Sequence, residues 1–371
     1  MLSELISKPI FVVSDKKEKT GSTFVPGSTS EVRKMGEKLL TIEDIAQAAN
    51  VAKSTVSRVL NNSGYVGKET RKRVEKVIAE SNYTPWVTAR NLSKQMSNTI
   101  GVVVSEITNP YFARAFEGIS EVIDKNDMNI IFCNTDRTPY KEEQALRMLR
   151  EKRVRGIIIS PVIDYDVPEK AKLFRSQLES ISAPTVLLDA PVDLDLWDGV
   201  FFDNFDGAYH AVKAMISSGH RQIGIITGDR KNKVVRERYR GYIKALKDSG
   251  LKVDPRLVFV GDYTVETAYR IGKSMIQAGM LPPAIFTANN FTTIGFIKAC
   301  IEEKVELEKD VSVMAFDKLD EYDIFGLKYN RLERDPRAMG RMAAGMLVTR
   351  IQYPDMPRSR KIIPSKIVMC R

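Results

Sequence analysis

Two groups of residues in this 371-residue chain have types and spacings that could do chemistry. The first lies in Thr41–Asn61, where Lys53, Ser54, Ser57 and Arg58 interrupt an apolar helical period carried by Val51, Val56, Val59 and Leu60. If the valines pack inward, those four point outward. Arg and Lys donors match guanine edges in the DNA major groove, and Ser can serve either role. The second group follows a series of short apolar runs: Tyr111 and Phe112, Asp189, Asp203 with Asn204, Arg238, Tyr263, Asn289 with Asn290, and Asp317. Carboxylates, amides and a guanidinium hydrogen-bond hydroxyls, while aromatic faces cover C–H surface, which is the mixture a sugar needs. Each strand-end Asp or Asn alone is an ordinary helix cap. Only the set argues for a ligand.

The elements that must position these residues differ between the two groups. Residues 39–84 carry Leu40, Ile42, Ile45, Ala46, Ala49 and Val51 at helical spacing, then Val56, Val59 and Leu60, then Val66, Val74, Val77 and Ile78. Ala46 is the small residue a close helix pair requires, and Asn50 is the best non-glycine choice where a turn needs positive φ. That pattern fits a helix-turn-helix or an ordinary helical hairpin with a solvated polar face, with Thr84 and Pro85 capping the next helix. From Ser97 the texture changes to β-branched runs alternating with helical stretches: Ile100–Val104, Tyr111–Asn126, Asn129–Phe132 and so on to Val311–Ala315. That alternation predicts an α/β fold with parallel sheets covered on both faces. About 270 residues is more than one sheet needs, so two similar lobes are expected. Ligands bind at the carboxyl ends of such strands. Arg238 is expected to open its helix, and Asp203 to brace a crossover rather than touch ligand.

Composition narrows the class. Hydrophobic residues at 43% and charged residues at 28% are those of a globular protein with a sizeable core. A net charge of +10 favours a polyanionic partner. Cys133, Cys300 and Cys370 are odd in number and share no metal-like spacing, so no disulfide framework, metal or cofactor is expected. No apolar run approaches a membrane span, and a Lys and a Pro interrupt the N-terminal one, so a cytoplasmic protein without a membrane partner is expected. Residues 1–38, rich in Ser, Thr, Gly, Lys and Glu, read as a disordered leader. The two histidines, His210 and His220, flank no nucleophile, and no glycine-rich phosphate loop is present, so an enzyme is not expected.

The stretch Thr41–Asn61, continued through Val66, Thr70, Arg71, Val74, Ile78, Tyr83 and Pro85, resembles the start of the LacI/GalR family of bacterial regulators. Its most specific part is Thr55-Val-Ser-Arg-Val-Leu-Asn61, and the likeness runs from about Leu40 to the C-terminus. The resemblance implies an N-terminal helix-turn-helix domain (39–84), a hinge helix and linker (85–97) and a two-lobed domain like the periplasmic sugar-binding proteins (98–371). It implies a homodimer on pseudo-palindromic operator DNA, controlled by a sugar or sugar-derived effector. Lys53, Ser54 and Arg58 would read bases beside Ser57, while Thr55, Asn61 and Thr70 would contact phosphates. In the hinge, with Ala89, Leu92 would wedge into the minor groove. Asp189, Arg238, Tyr263, Asn289 and Asp317 stand where the family most often holds its ligand, with Tyr111 and Phe112 on the cleft wall. Ala52 replaces the usual Ser or Thr at the start of the recognition helix, and Asn290 the usual Asp. The basic run Arg230–Arg240, with Arg331 and Arg334, leaves open an anionic ligand or a solvated rim. A regulator with a vestigial cleft, answering to a protein partner, is the alternative. A transport receptor of the same fold would lack the helix-turn-helix.

Overall fold

The computed structural model describes residues 40–61, 63–81, 97–162, 167–191 and 196–370, and these fall into two compact units divided between Pro85 and Trp86. The leader expected over 1–38 and the hinge residues Ala89 and Leu92 lie outside the described residues.

In the first unit, Thr41 starts α1 (Ile42–Ala48) with a capping box: its hydroxyl accepts from the Asp44 amide and Asp44 accepts from the Thr41 amide. Asn50 then takes φ 52°, the left-handed turn that lets α2 (Lys53–Asn61) fold back. α3 (Lys68–Glu80) completes the unit. Ile45, Ala46, Ala49, Val56, Val59 and Val74 form its core. Leu40 is exposed and precedes the first helix, so the helical period read from the sequence starts two residues early.

The second unit holds two six-stranded sheets. The first lobe takes β1 (Thr99–Val104), β2 (Asn129–Asn134), β3 (Gly156–Ile159), β4 (Thr185–Asp189), β5 (Asp198–Phe202) and β11 (Arg360–Ile363), in the order β11-β5-β4-β3-β1-β2. The second takes β6 (Ile223–Thr227), β7 (Val258–Val260), β8 (Ala284–Thr287), β9 (Ser312–Phe316), β10 (Asn330–Glu333) and β12 (Lys366–Val368), in the order β12-β10-β9-β8-β6-β7. Every pairing is parallel except β10 with β12. The chain crosses between lobes after β5, after β10 and after β11, because β10 leads into α12 (Pro336–Gln352), which packs on the first sheet.

α12 lies against α4 (Pro110–Asp124) at van der Waals distance because each offers a glycine. A Cβ on Gly340 would stand 1.9 Å from the Ala115 carbonyl oxygen, and one on Gly118 would stand 2.0 Å from that of Arg337. Arg350, deeper on α12, pins the helix to β5 through a buried pair with Asp198, at 2.9 and 3.1 Å.

Candidate functional site

On the first unit, α2 exposes Lys53, Ser54 and Arg58, while Thr55 and Ser57 are half-buried. Asn61 ends the same helix, and Thr70 sits half-buried in the first turn of α3. Lys53 pairs with Glu43 of α1, and that hydrogen bond holds the Glu43 carboxyl below its usual range. Arg58 lies along the turn that follows α2, with its Cδ 3.5 Å from where a Gly64 Cβ would be. Ala52 has only its carbonyl to offer the helix start, accepting from the amides of Thr55 at 2.8 Å and Val56 at 3.3 Å. The arrangement is one polar helix face carrying two exposed cations and two hydroxyls.

In the second unit a cleft of about 730 Å³ opens between the lobes, at the carboxyl ends of both sheets. Tyr111, Phe112, Asp189, Arg238, Tyr263, Asn289 and Asp317 all line it. Tyr111 and Phe112 come from the start of α4, where Asn109 caps the helix through the Tyr111 amide. Asp189 ends β4 and Asp317 follows β9. Asn289 caps α10 (Asn290–Glu302) in a capping box with Thr292. Arg238 does not open its helix: α8 begins at Lys233, capped by Asn232, so Arg238 reaches the cleft from the second turn. The Asn232 side chain accepts from the Val235 amide, and that cap starts the helix five residues before Arg238. Asp203 caps α7 (Asn204–Ser217) and is absent from the cleft lining, as a brace would be. Of the six basic residues in Arg230–Arg240, Lys231 and Arg238 line the cleft. Arg331 turns to Glu333.

Arg334, which sequence reasoning weighed only as part of a basic rim, is the centre of the cleft floor. Its side chain is 3% exposed. Nε and Nη2 donate to the two oxygens of Asp317 at 2.6 and 2.7 Å, and Nη1 reaches Asp189 Oδ1 at 3.5 Å. The guanidinium lies over the rings of Tyr111, Phe202 and Phe316, at 4.3, 5.0 and 5.0 Å. Burial disfavours its charge, yet Asp317 and its neighbours outweigh that and push its pKa up. Asp189 also accepts from the Tyr111 hydroxyl, and burial together with that carboxylate drives the phenol pKa well up. Arg238, 4% exposed, donates to Asn204 Oδ1 at 2.9 Å and to the Ala288 carbonyl at 2.6 Å, and stacks 3.8 Å over Phe316. Burial, then the nearby Arg334 charge, lowers its pKa.

The backbone carries a second mark of the site. Asp189, Tyr263 and Asp317 hold φ of 64°, 65° and 116°. Such conformations cost non-glycine residues about 1–3 kcal/mol each and persist where the surroundings impose them, often at ligand sites. Among the described residues, the Thr227 and Tyr263 hydroxyls and Asn290 Oδ1 are buried without a hydrogen bond of good geometry, the two hydroxyls standing beside each other and Tyr263 beside Arg238. No single-residue signal in the sequence reveals these, since each depends on the turn geometry after a strand. Contacts between the lobes are already made across the cleft. Arg114 pairs with Asp320, Arg137 Nη1 donates to the Asp262 carbonyl at 3.1 Å, and Asn290 Nδ2 reaches Asn109 Oδ1 at 3.4 Å.

Comparison with known proteins agrees with this architecture. Residues 41–85 match the family model described as bacterial regulatory proteins, lacI family. Residues 97–368 match the one described as periplasmic binding proteins and sugar binding domain of LacI family. The chain is 30% identical over 325 residues to the HTH-type transcriptional repressor PurR of Aliivibrio salmonicida (strain LFI1238), covering 87% of this chain and 95% of that protein. It is 30% identical over 318 residues to the ribose operon repressor of Haemophilus influenzae (strain ATCC 51907 / DSM 11121 / KW20 / Rd), covering 85% and 93%. Among solved structures, the lac repressor dimer bound to operator and the anti-inducer ONPF superposes with a TM-score of 0.77 at 25% identity, over 89% of this chain and 98% of that one.

Proposed function

Since the chain belongs to the LacI family of bacterial regulatory proteins and is a DNA-binding transcriptional repressor, we propose that a sugar or sugar derivative in the interlobe cleft controls its hold on operator DNA. The observation that carries this reading is the convergence of seven side chains, from both lobes, on one cavity of about 730 Å³. Aromatic faces at Tyr111, Phe112 and Tyr263 stand beside hydrogen-bonding groups at Asp189, Arg238, Asn289 and Asp317. This pairing suits a ring whose C–H surface and hydroxyls alternate. A ligand touching both lobes shifts the operator equilibrium by its differential affinity for the lobe arrangements that do and do not fit DNA.

On DNA, two copies of α2 in a homodimer read the half-sites of a pseudo-palindrome. Lys53, Ser54, Ser57 and Arg58 face the bases, and Thr55, Asn61 and Thr70 face the backbone. Ala89 and Leu92 complete the minor-groove contact in this proposal. The test is an operator titration with and without each member of a panel of sugars, sugar phosphates, sugar acids and purine bases. One sugar-type compound should change operator affinity about 5–150-fold, the usual range of allosteric coupling. The response should vanish in Asp317→Ala. A response from none of the panel, or one that Asp317→Ala leaves intact, refutes the cleft as the control site and favours a protein partner.

A further inference from the structure

The helix α2 carries Lys53 and Arg58 and no acid of its own. Lys53 nevertheless holds a carboxylate, that of Glu43 in the first turn of α1. Capping of α1 does not need Glu43, because Asp44 closes the box with Thr41. The stability of the unit does not need it either: the two side chains are 61% and 60% exposed, and exposed ion pairs contribute little to folding. The consequence of the pair lies in where it leaves the Lys53 ammonium.

Lys53 is the first residue of α2, at the positive end of the helix dipole, which repels a cation. Its charge sits on a flexible four-carbon stem, so an ammonium released there swings onto whichever phosphate lies nearest. Glu43 is itself anchored, since its carboxylate also accepts from its own backbone amide. An anchored carboxylate fixes the ammonium beside it. Three donors belong to an ammonium, so one bond to Glu43 leaves two for the O6 and N7 of a guanine. Phosphates, by contrast, meet a pair whose charge is already cancelled and a carboxylate that repels them. A base edge gains from Lys53 what the DNA backbone does not.

We propose that Glu43 is a positioning residue for operator recognition, holding Lys53 toward base edges and off the phosphates, so that the repressor discriminates operator from other DNA. This goes beyond the placement of Lys53 at the bases given above and rests on it.

The experiment is a fluorescence-anisotropy titration of the full-length protein, with two duplexes of equal length. One is the tightest binder that the protein selects from a random pool, and the other is its scrambled sequence. Each is titrated at about 50 and about 200 mM KCl. In Glu43→Gln the released ammonium takes one phosphate, so the salt slope on scrambled DNA should steepen by about 0.9, or about 3.5-fold more affinity lost across that range. The ratio of operator to scrambled affinity should fall by about 3- to 10-fold at the lower salt. In a Lys53→Met background, Glu43→Gln should change neither quantity. Lys53→Met alone should lose base preference within each half-site. An unchanged slope and ratio in Glu43→Gln overturns the positioning role, and a loss of base preference in Lys53→Met then leaves the base-reading placement standing. The same shift in the Lys53→Met background also overturns it, because the carboxylate then acts on the phosphates directly. A lower melting temperature in Glu43→Gln with unaltered DNA readouts reduces Glu43 to a structural partner and overturns it likewise. Full discrimination by Lys53→Met overturns the base-reading placement and the proposal with it.

Discussion

Replacing Arg334 by Met tests whether the two lobes are held on a buried guanidinium. The substitution keeps an unbranched stem under Tyr111, Phe202 and Phe316 and deletes the charge. Two hydrogen bonds to Asp317, at 2.6 and 2.7 Å, are lost with it. Asp317 and Asp189, 6% and 8% exposed, are then left as buried carboxylates without that cation. Arg238 is already held by Asn204 and Ala288, so its guanidinium cannot move into the place of Arg334 without giving up those bonds. Removing one partner of a buried pair costs about 3–5 kcal/mol. At about 2–4 °C per kcal/mol for a unit of this size, the melting temperature should fall by roughly 6–20 °C. Urea unfolding of Arg334→Met, Asp317→Asn and the double variant gives the coupling. The double variant should lose little more than either single one. A loss under about 1 kcal/mol in Arg334→Met, or a coupling below about 0.5 kcal/mol, refutes the idea that the pair is a structural unit.

Three further outcomes follow from other parts of the molecule. Arg58→Ala should reduce discrimination at one base pair per half-site by about 1–3 kcal/mol, measured as competition between operator variants; an equal loss on all sequences assigns Arg58 to phosphate. Thr41→Ala removes one side of the capping box, and should lower the stability of the helix-turn-helix by about 1 kcal/mol in thermal unfolding of the DNA-binding unit. Gly340→Ala forces a methyl against the Ala115 carbonyl, where only 1.9 Å is free. It should destabilise the two-lobed unit by about 1–3 kcal/mol in urea, and an unchanged midpoint would show that α4 and α12 slide apart at little cost.

The sequence by itself determined the architecture, because its two periods are local properties. A 3.6-residue period with Ala46 and Asn50 at the turn specifies a close helix pair, which the family resemblance identified as a helix-turn-helix, and Asn50 does take positive φ. Short β-branched runs alternating with amphipathic helices specify parallel sheets: Ile100–Val104 and Asn129–Phe132 lie within longer strands, and Val311–Ala315 falls on one shifted by a residue, Ser312–Phe316. Strand ends were legible for the same reason, so the seven cleft residues could be named from where apolar runs stop, and all seven line one cavity. Arg238 was placed in the cleft by type and position although its helix starts five residues earlier, at Lys233, since an Asx cap at Asn232 has no apolar period to betray it. Tertiary structure alone decided which charge meets which. Arg334 and Arg331 are three residues apart and chemically identical, yet one reaches across the second crossover to carboxylates of both lobes and the other pairs with Glu333 on its own strand. Their difference is set by position: Arg331 lies within β10, whereas Arg334 follows the strand's end, where the opposite lobe brings Asp189. A pairing between Asp189 and Arg334, 145 residues apart, exists only once two sheets have closed on one cleft.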